Sequence, residues 1–461
     1  MAENPHAQPS PQGQPQRTLL LITIALGVLL NPLNSSMISV ALTRLEHAFH
    51  LTFTAASWLI STYYLASAIA QPLLGKVADA FGRKAVFIAG LILVAAACAC
   101  APFAPTFAWL IVLRLIQAAG TSALYPAGMG IIRDHVGEGQ ARALALLSVF
   151  ASGAAAFGPS IGGLVLHWGD WPAIFWINFP FLAAGLALAT FILPRDLRRR
   201  TPAREAIRQL DLPGVFWFAF GVVFALVFLL SFTSTPAWWA GGLGAVCLGL
   251  FFRREHRAAQ PFLDPRLFRQ NRPLAWVLLQ FLVVNIIFYS VFFGVPSYLQ
   301  EVRGYDARET GLLMLCIAGF GVLVSPLAGR WIERQGVRPP LLLAALCMTA
   351  GSLLFLTEEP ATQLAWLILN LCILGVSNGF NNVGLQTALF RVTPRTVIGQ
   401  ASGLFQTARY AGTILSTVLL GVLFGNHLSA AELHRLGMVL AALGLVILWM
   451  SWRVPARQER T

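Results

Sequence analysis

Carboxylates are missing from the long apolar segments of this chain. All 19 Asp and Glu fall at predicted helix ends, in loops or in the tails. The eight His sit in tails, loops or helix ends, and no acid faces them. An enzyme embedded among apolar helices needs a nucleophile, base or ligand cluster at depth, and none is present. The six Cys (98, 100, 247, 316, 347 and 372) lie in apolar stretches without metal-ligand spacing. They read as small buried hydrophobes, so no metal and no cofactor is expected. No G-x-x-x-x-G-K-[ST] segment occurs, which excludes ATP as the direct energy source through a phosphate loop. No connection is large enough for a soluble catalytic or signalling domain. Charge itself is scarce, at 11% of 461 residues, against about 25% in a soluble protein.

What is abundant is apolar length. The chain is 57% hydrophobic, with a mean hydropathy of +0.69. A bilayer core of about 30 Å needs about 20 apolar residues per helix. Fourteen stretches meet that need, over 18–42, 55–77, 85–104, 106–131, 143–167, 172–193, 212–232, 237–252, 273–299, 310–331, 339–357, 361–386, 401–426 and 434–453. The expectation is an all-α membrane protein. Residues 1–17 read as a disordered cytoplasmic tail and 454–461 as a second tail. The first stretch contains Asn31, Pro32 and Asn34 and lacks a convincing small-residue cleavage site, so it reads as a span rather than a removed signal.

The net charge of +13 is distributed by side. Of the 32 Lys and Arg, four (Arg44, Arg303, Arg308, Arg435) fall on one side, two (Arg114, Arg409) lie inside spans, and 26 lie on the other side. That bias predicts cytoplasmic N- and C-termini. The basic runs RDLRRR (195–200) and RREHR (253–257) read as topology determinants touching anionic membrane lipids, with no nucleic-acid partner.

A weak internal repeat divides the chain. GKVADAFGRK (75–84) follows the second span and GRWIERQGVR (329–338) the tenth, each with Gly plus a base and a second Gly seven residues later. Two six-helix bundles, 18–193 and 273–453, are expected, with linker loops and an inserted two-helix hairpin at 194–272.

Polar residues inside the spans recur at helical spacing. They are Asn31, Asn34, Ser35 and Ser39; Tyr63, Ser67 and Gln71; Arg114, Gln117, Thr121 and Tyr125; Asn285 and Tyr289; Asn370, Asn378, Asn381, Asn382 and Gln386; and Gln406, Arg409, Tyr410, Thr413 and Thr417. Such stripes either glue helices together or line a shared hydrated cavity for a small-molecule substrate. Arg114 has no acid in its own helix; it can donate to Gln117, to carbonyls or to an anion. Arg409 either faces the cavity or snorkels to headgroups.

These motifs together resemble the fourteen-helix drug:proton antiporter branch of the major facilitator superfamily. GKVADAFGRK resembles the loop signature after the second helix, LRLIQAAGTS (113–122) the fourth-helix motif with Arg114 at its arginine, and AFGPSIGG (156–163) the antiporter motif of the fifth helix. DWPAIFWINFP (170–180), with Pro172 in place of the usual Arg, and GLFQTARYAGT (403–413) resemble two further segments of the branch. The resemblance covers 18 to about 453. It implies a monomeric exporter of hydrophobic or amphipathic compounds in a bacterial inner membrane, working by alternating access and driven by protons; the alternative is a proton-independent facilitator or lipid or metabolite exporter. It implies coupling or switch roles for Arg114, Asp79, Arg83, Gly75 and Gly82, and a packing pivot at Gly158 and Pro159. The departure is at LNSS (33–36), where Asn34 stands at the branch's usual acid. An amide trades no proton near neutral pH. The remaining acids near the ends of spans are Asp79 and Asp134 on the basic side and Glu46 and Glu301 on the other.

Overall fold

The computed structural model describes residues 14–136, 140–194, 196, 212–231, 235–257, 271–360, 362–393, 398–425 and 428–453. Residues 1–13, the second tail and the run RDLRRR, apart from Asp196, lie outside the described residues, as do the side chains of Asp79 and Asp134; residues 14–17, expected as part of a disordered tail, are helical. Among the described residues the regular elements are all helical. They are α1 (Gln14–Val28), α2 (Leu30–Phe49), α3 (Phe53–Phe81), α4 (Arg83–Cys100), α5 (Phe107–His135), α6 (Gln140–Gly169), α7 (Ala173–Trp176), α8 (Asn178–Ile192), α9 (Leu212–Leu230), α10 (Trp238–Glu255), α11 (Arg272–Glu301), α12 (Ala307–Gln335), α13 (Arg338–Leu354), α14 (Leu364–Val392), α15 (Ile398–Phe424) and α16 (Ala430–Arg453).

Among the described residues ten segments are long and apolar enough to cross a membrane, the first running through α1 and α2 as Gln16–Phe49. The expected spans at 55–77, 143–167, 212–232 and 237–252 are helical as α3, α6, α9 and α10 but fall outside those ten. The first span is broken at Leu29, just ahead of Asn31 and Pro32, and the sixth at Ile177.

Local chemistry sets the helix limits. Thr52 and Thr106 cap α3 and α5, their side chains accepting from Ala55 and Trp109 amides, which occupies otherwise orphaned N–H groups. Asp306 and Glu309 form a capping box at α12. The repeated loop signature has a physical basis: its second glycine, Gly82 in one copy and Gly336 in the other, closes the preceding helix at φ +110° and +86°. A side chain would be strained there.

In the N-terminal half α5 packs on α3 and α4, and α2 packs on α6. In the C-terminal half α14 packs on α12 and α13, and α11 on α15 and α16. The halves meet along α6–α12, α3–α15 and α2–α11. Helices α9 and α10 pack mainly on each other, and α9 also touches α3 and α15.

Candidate functional site

The hydrogen bonds that join the halves cluster toward the end where α3 begins. Thr54 Oγ1 donates to the Gly421 carbonyl (3.0 Å), Ser61 and Thr417 hydroxyls meet at 2.6 Å, Gln300 Nε2 donates to the Val40 carbonyl (3.1 Å) and Ser160 Oγ to the Gly311 carbonyl (2.6 Å). Phe53 and Phe424 pack edge-on at 5.3 Å. Glu46 and Glu301 also face each other there. Two carboxylates brought together repel, so their approach favours a proton on one of them. Nearby Arg303 is engaged by Glu358 at 3.6 Å; burial pushes the Glu358 carboxyl up, and Arg303 pulls it back.

The glycines of AFGPSIGG allow two close approaches of α6, one within its own half and one across the seam. A Cβ on Gly158 would lie 1.7 Å from Ser36 Oγ on α2, and one on Gly163 would lie 2.2 Å from the Ala307 carbonyl oxygen on α12. Gly311 in turn approaches the Pro159 carbonyl, with a built Cβ at 2.9 Å. Helix α6 therefore touches both halves through backbone, with no room for a side chain.

Behind this closed end, at mid-depth, the halves enclose a cavity of about 60 Å³. Asn31, Pro32, Ser35, Tyr64, Gln71, Thr121 and Tyr125 line it from the N-terminal half, and Tyr289, Gln406, Arg409 and Tyr410 from the C-terminal half. Tyr410 donates to Gln71 Oε1 across the seam at 2.9 Å. Tyr64 packs against Tyr289 (5.7 Å) and Tyr410 (5.8 Å), which makes one continuous aromatic wall. A water needs about 10–15 Å³ by this measure and a drug-sized ligand site spans roughly 300–1,000 Å³. The cavity in this conformation admits water only, so a larger guest requires the halves to move apart.

One layer behind lies a buried polar network within the N-terminal half. Arg114, 1% exposed, donates to Gln117 Oε1 (2.7 Å) and the Asn34 carbonyl (3.4 Å), and its guanidinium stacks 4.3 Å from the Tyr63 ring centroid. Gln117 Nε2 donates to Asn34 Oδ1 at 2.8 Å and reaches Cys98 Sγ at 3.1 Å. Asn34 and Asn178 exchange reciprocal bonds of 2.8 and 2.9 Å, and Asn34 also donates to the Leu30 carbonyl. The Asn34 amide thus gives and receives two bonds each. The cation is held by neutral dipoles and a π face, without a carboxylate partner among the described residues. Tyr63 bonds Thr121 at 3.0 Å and so ties this layer to the cavity wall.

The sequence-derived candidates therefore separate. Ser35, Gln71, Tyr289 and Arg409 line the cavity. Asn34, Tyr63, Gln117 and Arg114 form the buried layer. Asn285 donates to the Phe281 carbonyl and packs on Gly412. Asn378 accepts from Asn382, Asn381 donates to Ser377, and Gln386 is half-buried on the same helix; none of these three lines the cavity. Tyr64 and Asn178 were not among the candidates. The Tyr63–Tyr64 pair offered a signal for the first, and the WINFP segment, which aligns no acid or base, offered little for the second.

At the basic end Arg83 donates to the Gly130 carbonyl, and Lys84 Nζ donates to the Thr190 and Leu193 carbonyls at 2.7 Å. The Asp196 carboxylate accepts from the Lys84 and Ala85 amides (2.9 and 3.0 Å), sitting on the positive end of α4. Gly75 passes Pro126 with a built Cβ at 3.3 Å. These contacts lie within the N-terminal half. A surface cleft of about 310 Å³ at this end is lined by Trp217, Leu250, Arg253, Arg254 and Arg257 of the α9–α10 pair.

Two halves meeting around a polar mid-depth cavity, closed at one end by backbone contacts, is the architecture of a carrier. The sequence profile of the Major Facilitator Superfamily matches residues 24–417. The chain belongs to the major facilitator superfamily. It is a multi-pass membrane transporter, not an enzyme. Among its relatives, an uncharacterized MFS-type transporter, YwoD, of Bacillus subtilis (strain 168) is 47% identical over 440 residues, spanning 95% of this chain and 97% of that one. The tetracenomycin C resistance and export protein of Streptomyces glaucescens is 30% identical over 431 residues, covering 90% and 77%. A crystal structure of a POT family transporter in complex with 5-aminolevulinic acid superposes with a TM-score of 0.69 at 15% identity, covering 94% of this chain and 96% of that one. That similarity concerns the fold.

Proposed function

We propose that this transporter is a secondary active exporter of hydrophobic or amphipathic small molecules, working by alternating access and driven by the proton gradient. The observation that carries the reading is the mid-depth cavity built jointly by α2, α3 and α5 from one half and α11 and α15 from the other, behind an end sealed by cross-half hydrogen bonds. Breaking those bonds and closing the opposite end would expose the same residues to the other side. Relatives named for multidrug resistance and antibiotic export support the direction and substrate class. In this reading the chain has fourteen spans with α9–α10 as the inserted hairpin, lies as a monomer in a bacterial cytoplasmic membrane with both termini inside, and holds anionic lipid headgroups in the Trp217–Arg257 cleft.

Asn34 favours a second reading, a facilitator that exchanges no proton. The test is uptake of a fluorescent substrate into proteoliposomes with and without an imposed pH gradient, preceded by a toxicity panel on cells with and without the protein, repeated with an uncoupler. Resistance to several amphipathic compounds that vanishes with the uncoupler is expected. Equal transport with no gradient selects the facilitator, and unchanged toxicity across the panel removes the exporter reading.

A further inference from the structure

The cavity contains one formal charge. Arg409 lines it, and among the described residues no carboxylate does. Its guanidinium lies 5.6 Å from the Phe281 ring centroid, and among the described residues it donates to no protein acceptor. Five N–H donors on a half-buried cation, about 16 Å along α15 from Ile398 at 1.5 Å per residue, therefore face a space walled by Tyr64, Tyr289 and Tyr410. A second cation, Arg114, stands behind Tyr63, and Tyr63 packs on Tyr64 at 5.9 Å. Both charges act through a low-dielectric layer, and among the described residues no carboxylate lines the cavity to offset them. A cationic guest would be repelled from two directions. A planar anion would meet a bidentate fork and aromatic faces together.

Resting on the exporter reading, we propose that the cavity selects aromatic compounds carrying an acidic group, with Arg409 binding the acid and the Tyr64–Tyr289–Tyr410 wall packing on the rings. Arg409 is then the specificity-determining residue. Gln71, Gln406 and Asn31 satisfy the remaining polar atoms of the guest, and the closing bond between Tyr410 and Gln71 forms or breaks as the guest enters.

The test uses the full chain in nanodiscs and two xanthene dyes of similar shape and opposite charge, fluorescein and rhodamine 123, followed by fluorescence anisotropy. Wild type binds fluorescein at least about tenfold more tightly than rhodamine 123. Arg409→Gln erases that preference, and Arg409→Lys keeps part of it. Gln406→Glu, which puts a carboxylate one turn from Arg409, does the same as Arg409→Gln without removing the arginine, so a folding defect in one variant leaves the other decisive. Tighter rhodamine 123 binding by wild type, fluorescein binding unchanged in both variants, or no binding of either dye overturns the proposal. Dye uptake into everted vesicles separates it from the exporter reading. Movement of rhodamine 123 alone overturns the anion site and leaves an exporter. Fluorescein bound through Arg409 with neither dye moved keeps the anion site and overturns the exporter.

Discussion

Arg114 and Arg409 are both arginines inside spans, one in each half, and the protein treats them in opposite ways. Arg114 is sealed: Gln117, the Asn34 carbonyl and the Tyr63 face absorb its charge, and Asn178 completes the layer from α8. Arg409 is left with donors directed at a cavity and one aromatic neighbour. The contrast shows that a charged residue in a span has two distinct uses. Held by neutral dipoles and a π face, it fixes how helices pack. Left unsaturated beside a hydrated space, it is available to a guest.

The comparison breaks most visibly in stability. Arg114→Met strands the buried Gln117 Oε1 and should cost about 1–3 kcal/mol, whereas Arg409→Met should cost under about 1 kcal/mol. Thermal unfolding of both variants in detergent measures this, and equal losses would erase the distinction. Asn34→Asp probes the same layer. An aspartate cannot donate to the Leu30 carbonyl or Asn178 Oδ1, so a loss of about 1–3 kcal/mol is expected. Because that position lies behind the cavity wall, the variant should show the same dependence of transport on a pH gradient as wild type. A new proton-driven component would place Asn34 in the cavity after all.

Arg409→Gln sharpens the other side. Substrate-charge preference should fall about tenfold, about 1.4 kcal/mol, in the dye-binding assay, while the melting temperature stays near wild type. A smaller effect is expected at the closed end, where acids do face each other. Glu46 and Glu301 approach across α2 and α11, with Thr43 and His47 beside Glu301. Bringing the two carboxyls together favours a proton that separated carboxyls lose, so closure should be favoured as pH falls and weaken as pH rises. Spin-label distances between the ends of α2 and α11 should lengthen on alkalinisation, and Glu301→Gln should flatten that response. A pH response unchanged in the variant assigns it to other groups.

Much of this was legible in the sequence, because apolar length and charge bias are strong one-dimensional signals. The helices of the C-terminal half coincide closely with the expected spans. The repeated loop announced Gly82 and Gly336 because a positive φ admits few residues besides glycine. AFGPSIGG announced close packing on α6, though not that Gly158 meets α2 while Gly163 meets α12. The cavity was only half legible. Helical spacing tells which face of a helix is polar, but not whether that face meets another amide or open space. Asn378 and Asn382 on α14 bond each other, and Asn34 is closed off by Asn178, 144 positions along the chain. Asp196 was invisible as a cap, because only the return of α8 beside α4 brings it to the Lys84 amide.

The account stands on a cavity reached from both sides of the membrane in turn. Gln406→Cys places a thiol on its wall, and a membrane-impermeant thiol reagent applied to right-side-out and everted vesicles reads its exposure, with the wild-type cysteines as background. Labelling above background from each side, slowed by bound substrate in both, is the predicted result. Labelling from one side only, or none from either, under conditions where transport proceeds, would contradict it.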